Sequence, residues 1–239
     1  KKGMEKLTSY QHGDGGWGWW PTDESQPYLT ALVMEGMKLI KDSGYFVNSG
    51  MMDSAIKWGD KSSASLITQL NDPKRVKDEA DAYISRGRET DMAYMLYAQS
   101  LWNSGKSSKN QSAAMNYLRD NLSSLNAESI AYLARAANNN GERELATTAI
   151  NRLMEIANNN DTTIDWEYTE KMAKAIGDKH RWYLSYRFTP EETTALCLSA
   201  IVEVKPDMTD ATEKVKNWLL LTRGKDGWGT TKSTSQVFK

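Results

Sequence analysis

Two kinds of helical segment alternate along this chain, and that alternation restricts its fold more than any other feature. One kind is apolar almost all round, as a helix buried on every side must be. Tyr28-Leu29-Thr30-Ala31-Leu32-Val33-Met34, continuing to Ile40, is the first of these. Met92 to Trp102, Ser129 to Ala137 and Thr194 to Val204 follow. The other kind carries a single apolar stripe. Leu145, Ala149, Leu153 and Ile156 make one at 4-4-3 spacing; Ala113, Tyr117 and Leu118 make another; Val215, Trp218, Leu219 and Thr222 a third. Segments 1–10 and 50–70 read the same way, less cleanly. The predicted order is 1–10, 27–42, 50–70, 88–104, 108–122, 126–139, 142–157, 190–204, 209–222 and a last start at 233. Strand patterns are nearly absent. An outer-inner alternation of this kind predicts an all-α fold, an α/α toroid. A simple bundle does not require it, and a solenoid of helix pairs does not bury one member of each pair so fully.

Local signals agree. Gly44, Gly105 and Gly141 stand where left-handed C-caps belong. Thr189-Pro190-Glu191-Glu192 opens a helix with a cap, a first-turn proline and an acid at the third position. Asp207, Thr209 and Asp210 offer caps for the next. The stretch 158–188 breaks the pattern: it is long, rich in Trp and Tyr and weakly periodic, and reads as an excursion across one end of the ring, with short strands. Residues 1–239 read as one toroidal domain cut from a longer chain.

Composition removes whole classes of function. Formal net charge is −1 with the signs interspersed, which leaves no electrostatic footprint for nucleic acid. No apolar run reaches the roughly 18 residues of a membrane span. The single cysteine, Cys197, excludes internal disulfides and cysteine-based zinc clusters. It lies mid-helix in Ala195-Leu196-Cys197-Leu198-Ser199 and reads as a small core hydrophobe. His12 and His180 have no acid at metal-ligand spacing on a helix face, so neither a metal site nor a cofactor is predicted. Asp23-Glu24 and Glu191-Glu192 are paired acids of the kind glycosidases use, but the second pair sits where caps belong. Asp-Asp-x-x-Asp runs are absent, which counts against isoprenoid chemistry. No catalytic residue is assigned.

The two ends of the chain repeat a motif. Glu5-Lys6-Leu7 precedes Gln11 and Asp14-Gly15-Gly16-Trp17-Gly18; Glu213-Lys214-Val215 precedes Asp226-Gly227-Trp228-Gly229. Asp-Gly supplies the positive-φ residue of a tight turn. The tryptophan covers the apolar end of a helix pair, and its indole N–H has a backbone carbonyl within reach. Trp17, Trp19, Trp20 and Tyr28 together form a candidate aromatic surface or pocket, with packing of the first turn as the simpler reading.

These residues carry a resemblance. Tyr10-Gln11-His12-Gly13-Asp14-Gly15-Gly16-Trp17-Gly18-Trp19-Trp20-Pro21, followed by Pro27-Tyr28-Leu29-Thr30-Ala31, resembles the thioester-containing domain of alpha-2-macroglobulins, most closely the bacterial branch. Ile164-Asp165-Trp166-Glu167, Glu192-Thr193-Thr194-Ala195-Leu196 and Gly227-Trp228-Gly229-Thr230-Thr231 with Ser233-Thr234 resemble later segments of that domain, in the same order. The last departs from the family's Gln-Asp at Lys232 and Ser233. The resemblance implies an α/α toroid within a protease trap. It implies docking on neighbouring domains of one chain, target proteases as partners, and a periplasmic, envelope or secreted location. It also implies a Cys-x-Glu-Gln thioester, which this sequence lacks. In the family that motif precedes the outer helix matched by residues 1–10, so either it lies before Lys1 in a ring incomplete at both ends, or the chain comes from bacterial members that lack the thioester altogether. Some complement-type relatives use a histidine after the second outer helix; residues 69–88 hold none, so a thioester here would be attacked directly by amines. The competing reading is a toroidal enzyme acting on carbohydrate or isoprenoid substrates, which requires a deep, acid-lined central pocket.

Overall fold

Helix boundaries follow the capping chemistry. Asn48, Ser108, Asn126, Thr189 and Thr230 each accept a backbone N–H of the first turn on a side-chain oxygen, and Ser108 with Gln111 completes a capping box. A computed structural model describes residues 2–72, 74, 79–103, 106–166 and 189–238, apart from the side chains of residue 2 and of 79–86. In chain order its helices are α1 (Lys2–Ser9), α2 (Pro27–Asp42), α3 (Ser49–Leu70), α4 (Glu79–Ser100), α5 (Lys109–Asp120), α6 (Ala127–Asn139), α7 (Arg143–Glu155), α8 (Pro190–Val204), α9 (Thr209–Leu221) and α10 (Thr231–Val237). A 3-10 turn covers Leu122–Ser124. Strands β1 (Asn158–Asn159) and β2 (Ile164–Asp165) pair antiparallel, Asn158 opposite Asp165.

The alternation is a physical division into two layers. Each even-numbered helix packs on the next: α2 on α4, α4 on α6, α6 on α8, α8 on α10. Odd-numbered helices lie outside, α3 against α2 and α4, α7 against α6 and α8. The middle inner helices, α4 and α6, are buried round most of their circumference. In α4 every residue from Glu89 to Ser100 is buried, and in α6 so is nearly every residue from Glu128 to Ala137. Outer helices bury one stripe, such as Leu145, Ala146, Ala149, Ile150 and Leu153 of α7. This is the predicted all-α toroid.

The fold departs from the sequence reading at several points. Helix α4 starts at Glu79 rather than 88. The buried stripe of α5 is Gln111, Ala114, Met115 and Leu118, and Ala113 faces solvent because it lies off that i, i+3, i+4 register. Helix α2 is not buried all round: Leu32 and Leu39, seven residues apart and so on one face, are 39% and 50% exposed. Helix α9 is preceded by Met208, with no side-chain cap from Asp207, Thr209 or Asp210. The stripe of α3 read weakly because Gly59 and Ser63 belong to it. A Cβ at Gly59 would stand 2.5 Å from the Met95 sulfur, so glycine is what lets α3 approach α4. Strands β1 and β2 fall at the start of the predicted excursion. Its later part, 167–188, lies outside the described residues, as does the expected cap Gly105. Gly44 and Gly141 take the positive φ expected of helix ends, +86° and +80°.

Gly15 is held more tightly. Its φ is +100°, and an added Cβ would lie 2.6 Å from the Ser54 carbonyl oxygen of α3. Gly15→Ala therefore combines backbone strain with a clash against main chain. We expect about 3 kcal/mol lost in urea unfolding, against about 1 kcal/mol for Gly44→Ala, where the space is open.

Candidate functional site

The Gly-Trp turns and the ring centre are the two places where chemistry-bearing residues gather. At the first turn the Trp17 indole N–H donates to the Leu7 carbonyl of α1 at 2.8 Å. Its backbone N–H donates to Thr30 Oγ1 of α2 at 3.0 Å. One buried tryptophan thus ties an outer helix to the inner helix that follows. The last turn repeats the arrangement: the Trp228 indole donates to the Leu219 carbonyl of α9, and its backbone N–H to Thr234 Oγ1 of α10. A third copy sits at Trp166, whose indole donates to the Leu153 carbonyl of α7 at 2.9 Å and whose backbone N–H donates to Thr194 Oγ1 of α8 at 3.3 Å. All three indoles are buried. Sequence reading found the first and last by their Asp-Gly turns. The third has no glycine before it; Ile164 and Asp165 of β2 deliver it instead.

The predicted aromatic set divides. Trp17 is buried in its clasp, whereas Trp19 and Trp20 are 55% and 72% exposed. Asp23 holds their backbone N–H groups, Oδ2 on Trp19 at 2.8 Å and Oδ1 on Trp20 at 3.2 Å. Tyr28 lies elsewhere, half-buried in the ring centre with its ring centroid 5.7 Å from that of Tyr94.

The ring centre is an aromatic column with charged ends. Tyr94 stacks on Tyr132 at 4.3 Å, and Tyr132 meets Tyr97 at 5.8 Å. The Tyr94 hydroxyl donates to buried Glu35 at 2.6 Å. The Arg135 guanidinium lies 4.0 Å over Tyr97 and forms a bidentate pair with Glu203 at 2.7 and 2.8 Å. Burial pushes the phenols of Tyr94, Tyr132 and Tyr97 upward, so all stay protonated at neutral pH. Burial alone would lower the Arg135 pKa; Glu203 and Tyr97 more than reverse that. The sequence showed these side chains only as interruptions in apolar helices. A tyrosine recurring in consecutive inner helices, with one arginine, was the signal available.

At one end of the column lies a narrow cleft, lined by Tyr28, Thr90, Tyr94, Glu128, Tyr132, Glu192, Thr193, Leu196 and Gln236. Its two acids are engaged: Glu128 accepts from the Thr193 hydroxyl, and Glu192 pairs with Lys232 at 2.7 Å. Lys232 also lies 4.9 Å from the Tyr28 ring centroid and so bridges α10, α8 and α2. Glu192 was expected to serve as a cap. Its backbone N–H does donate to Thr189, but its carboxylate turns to Lys232 instead of the chain behind it. A narrow cleft with both acids committed does not favour a carbohydrate- or isoprenoid-processing enzyme.

The cysteine does not line this cleft. Cys197 is fully buried on α8, and burial, then the charge of Glu128, push its thiol pKa well up. We expect a thiol-specific reagent to leave Cys197 unmodified in the native chain and to modify it once urea unfolds the domain. Labelling at the rate of a free thiol under native conditions would contradict the burial. Among the described residues no group of three or more His, Cys, Asp or Glu is placed to hold a metal ion, and no helix is long and apolar enough to cross a membrane. His180, Glu167 and the Trp and Tyr residues of 167–188 lie outside the described residues.

Comparison with known proteins gives this architecture a family. The model of the A-macroglobulin TED domain matches residues 1–237. An alpha-2-macroglobulin of Thermotoga maritima is 41% identical over 58 residues, 24% of this chain and 4% of that protein. In fold the chain is similar to native alpha-2-macroglobulin from Escherichia coli, solved from domain MG7 to the C-terminus (TM-score 0.71, 16% identity, 99% of this chain and 33% of that one). It is also similar to Salmonella alpha-2-macroglobulin reacted with methylamine (TM-score 0.65, 17% identity, 99% and 13%). The chain thus spans a small part of each relative. With the family model matched along nearly its whole length, and the inner and outer helices closed by three tryptophan clasps, this chain belongs to the A-macroglobulin TED domain family.

Proposed function

We propose that this chain is the toroidal, thioester-type domain of a bacterial alpha-2-macroglobulin-like protease trap. It does no chemistry of its own and docks on neighbouring domains of a longer chain. The observation that carries the reading is the family match over residues 1–237. The buried Cys197 and the committed acids of the ring centre support a non-enzymatic role. A protease trap meets its targets outside the cytoplasm, so the periplasm or envelope is the proposed location. Of the four predicted aromatic residues, Trp19 and Trp20 are the pair with surface to offer a neighbouring domain.

The test uses the intact parent protein. It is mixed with trypsin, and the mixture is assayed on a small chromogenic peptide and on casein. A trap predicts that cleavage of the peptide persists while cleavage of casein falls. Equal cleavage of both substrates, with and without the protein, would overturn the reading. Treating the 239-residue chain with methylamine should release no thiol, because it carries no Cys-x-Glu-Gln.

A further inference from the structure

The first Gly-Trp turn holds a hydrogen-bond relay that the clasp does not need. His12 Nε2 lies 2.9 Å from the Trp20 carbonyl oxygen, and Nδ1 lies 2.9 Å from Ser25 Oγ. Ser25 Oγ donates in turn to Asp14 Oδ1 at 2.8 Å. Asp14 also accepts from the Gly16 backbone N–H and, through Oδ2, from the indole of Trp58 on α3. The finger between these anchors carries exposed Trp19 and Trp20.

Proton counting decides what the relay requires. The Trp20 carbonyl only accepts, so Nε2 must carry a proton. The one proton of Ser25 goes to Asp14, so Ser25 Oγ faces Nδ1 with a lone pair, and Nδ1 must carry a proton too. Only the imidazolium satisfies both contacts while Ser25 keeps its bond to Asp14. A neutral ring forces Ser25 to turn its hydroxyl from Asp14 to Nδ1, or leaves two lone pairs facing each other. The charged groups facing His12 are both acidic: Asp23 at 3.7 Å from Nε2, and Asp14 through Ser25. Helix α3 meets this turn through uncharged groups: the Trp58 indole, the Met51 carbonyl, which Gln11 binds, and the Ser54 main chain packed against Gly15.

We propose that His12 is a proton-sensitive latch for the Trp19–Trp20 finger, closed when the imidazole is protonated and loosened when it is neutral. The latch strengthens as acidification adds the second ring proton. Its far end holds to lower pH still. Burial raises the Asp14 pKa, but the bonds from Gly16, Ser25 and Trp58 and the charge of His12 lower it overall. A carboxylate with a depressed folded pKa contributes stability above its unfolded value and loses it as pH falls through the folded value. The relay therefore opens again only in acid below the usual carboxylate range. If the finger meets a neighbouring domain, that contact is firmer in mildly acidic surroundings.

Backbone amide exchange on the 239-residue chain, corrected for intrinsic rates, tests this. Protection over residues 17–26 should be about tenfold greater at pH 5.5 than at pH 8, the worth of one charge-assisted hydrogen bond. Helices α6 and α7 serve as the internal reference. His12→Gln should hold residues 17–26 at the pH 8 level throughout. If that variant loses protection in α6 as well, it has failed to fold; Ser25→Ala, which keeps His12 and removes the relay, replaces it with the same expectation. Wild-type protection that is equal at both pH values overturns the proposal. So does an undiminished pH response in a folded His12→Gln or Ser25→Ala chain.

Discussion

Trp17→Ala should cost about 3–5 kcal/mol of unfolding free energy, while Trp20→Ala three residues away should change it by less than about 0.5. Both are tryptophans of one turn, and composition does not distinguish them. Trp17 is 2% exposed and donates through both nitrogens, to Leu7 of α1 and to Thr30 of α2. Its removal opens a cavity between α1 and α2 and leaves the Leu7 carbonyl without its cross-helix bond, whereas the backbone bond to Thr30 survives in alanine. Trp20 is 72% exposed and holds the fold only through its backbone, which alanine keeps. A domain with about 5–15 kcal/mol in hand loses a large fraction of it in the first case. Trp17→Phe separates the two contributions. It restores most of the volume but no indole N–H, and should recover all but about 1–3 kcal/mol. Urea unfolding followed by far-UV circular dichroism, with slopes compared between variants, measures each value.

The second large effect is at the far end of the aromatic column, and its order is the reverse of what exposure suggests. Glu203 is the exposed partner, with 39% of its side chain accessible; Arg135 has 8%. Glu203→Ala leaves a guanidinium that stays buried over Tyr97 without its counter-charge, and should cost about 3 kcal/mol. Arg135→Met leaves a carboxylate that solvent reaches and an apolar chain that still covers Tyr97. It should cost about 2 kcal/mol or less. The double variant should then be more stable than Glu203→Ala alone. If Arg135→Met proves the more damaging of the two, packing over Tyr97 outweighs the charge balance argued here.

The sequence shows the layers clearly and the connections between them poorly. Burial on all sides leaves an unbroken apolar string, so α4, α6 and α8 were legible from residues such as Met92–Trp102 and Ser129–Ala137. Helix α2 looked the same on paper, yet Leu32 and Leu39 are exposed, because hydropathy records what a face could pack against and not whether a neighbour is there. The clasps at Trp17 and Trp228 were visible because a tight turn needs glycine. The clasp at Trp166 was not, since its partner Thr194 comes 28 residues later and no turn residue marks it. The ring centre was missed for a related reason. Glu35, Tyr94, Tyr132 and Arg135 come from three helices, and nothing in a linear pattern pairs Tyr94 with Glu35 across 59 residues. Glu192 misled in the opposite sense: its position three residues after Thr189 is that of a capping acid, and only the approach of α10 turns it to Lys232.

Hydrogen exchange of the individual indole N–H groups, resolved by NMR on the native 239-residue chain, tests most directly whether three equivalent tryptophan clasps stitch the outer helices to the inner ring. The signals of Trp17, Trp166 and Trp228 should exchange orders of magnitude more slowly than those of Trp19 and Trp20, as buried donors to main-chain carbonyls do. Exchange of Trp17, Trp166 or Trp228 as fast as that of Trp20 would contradict the account.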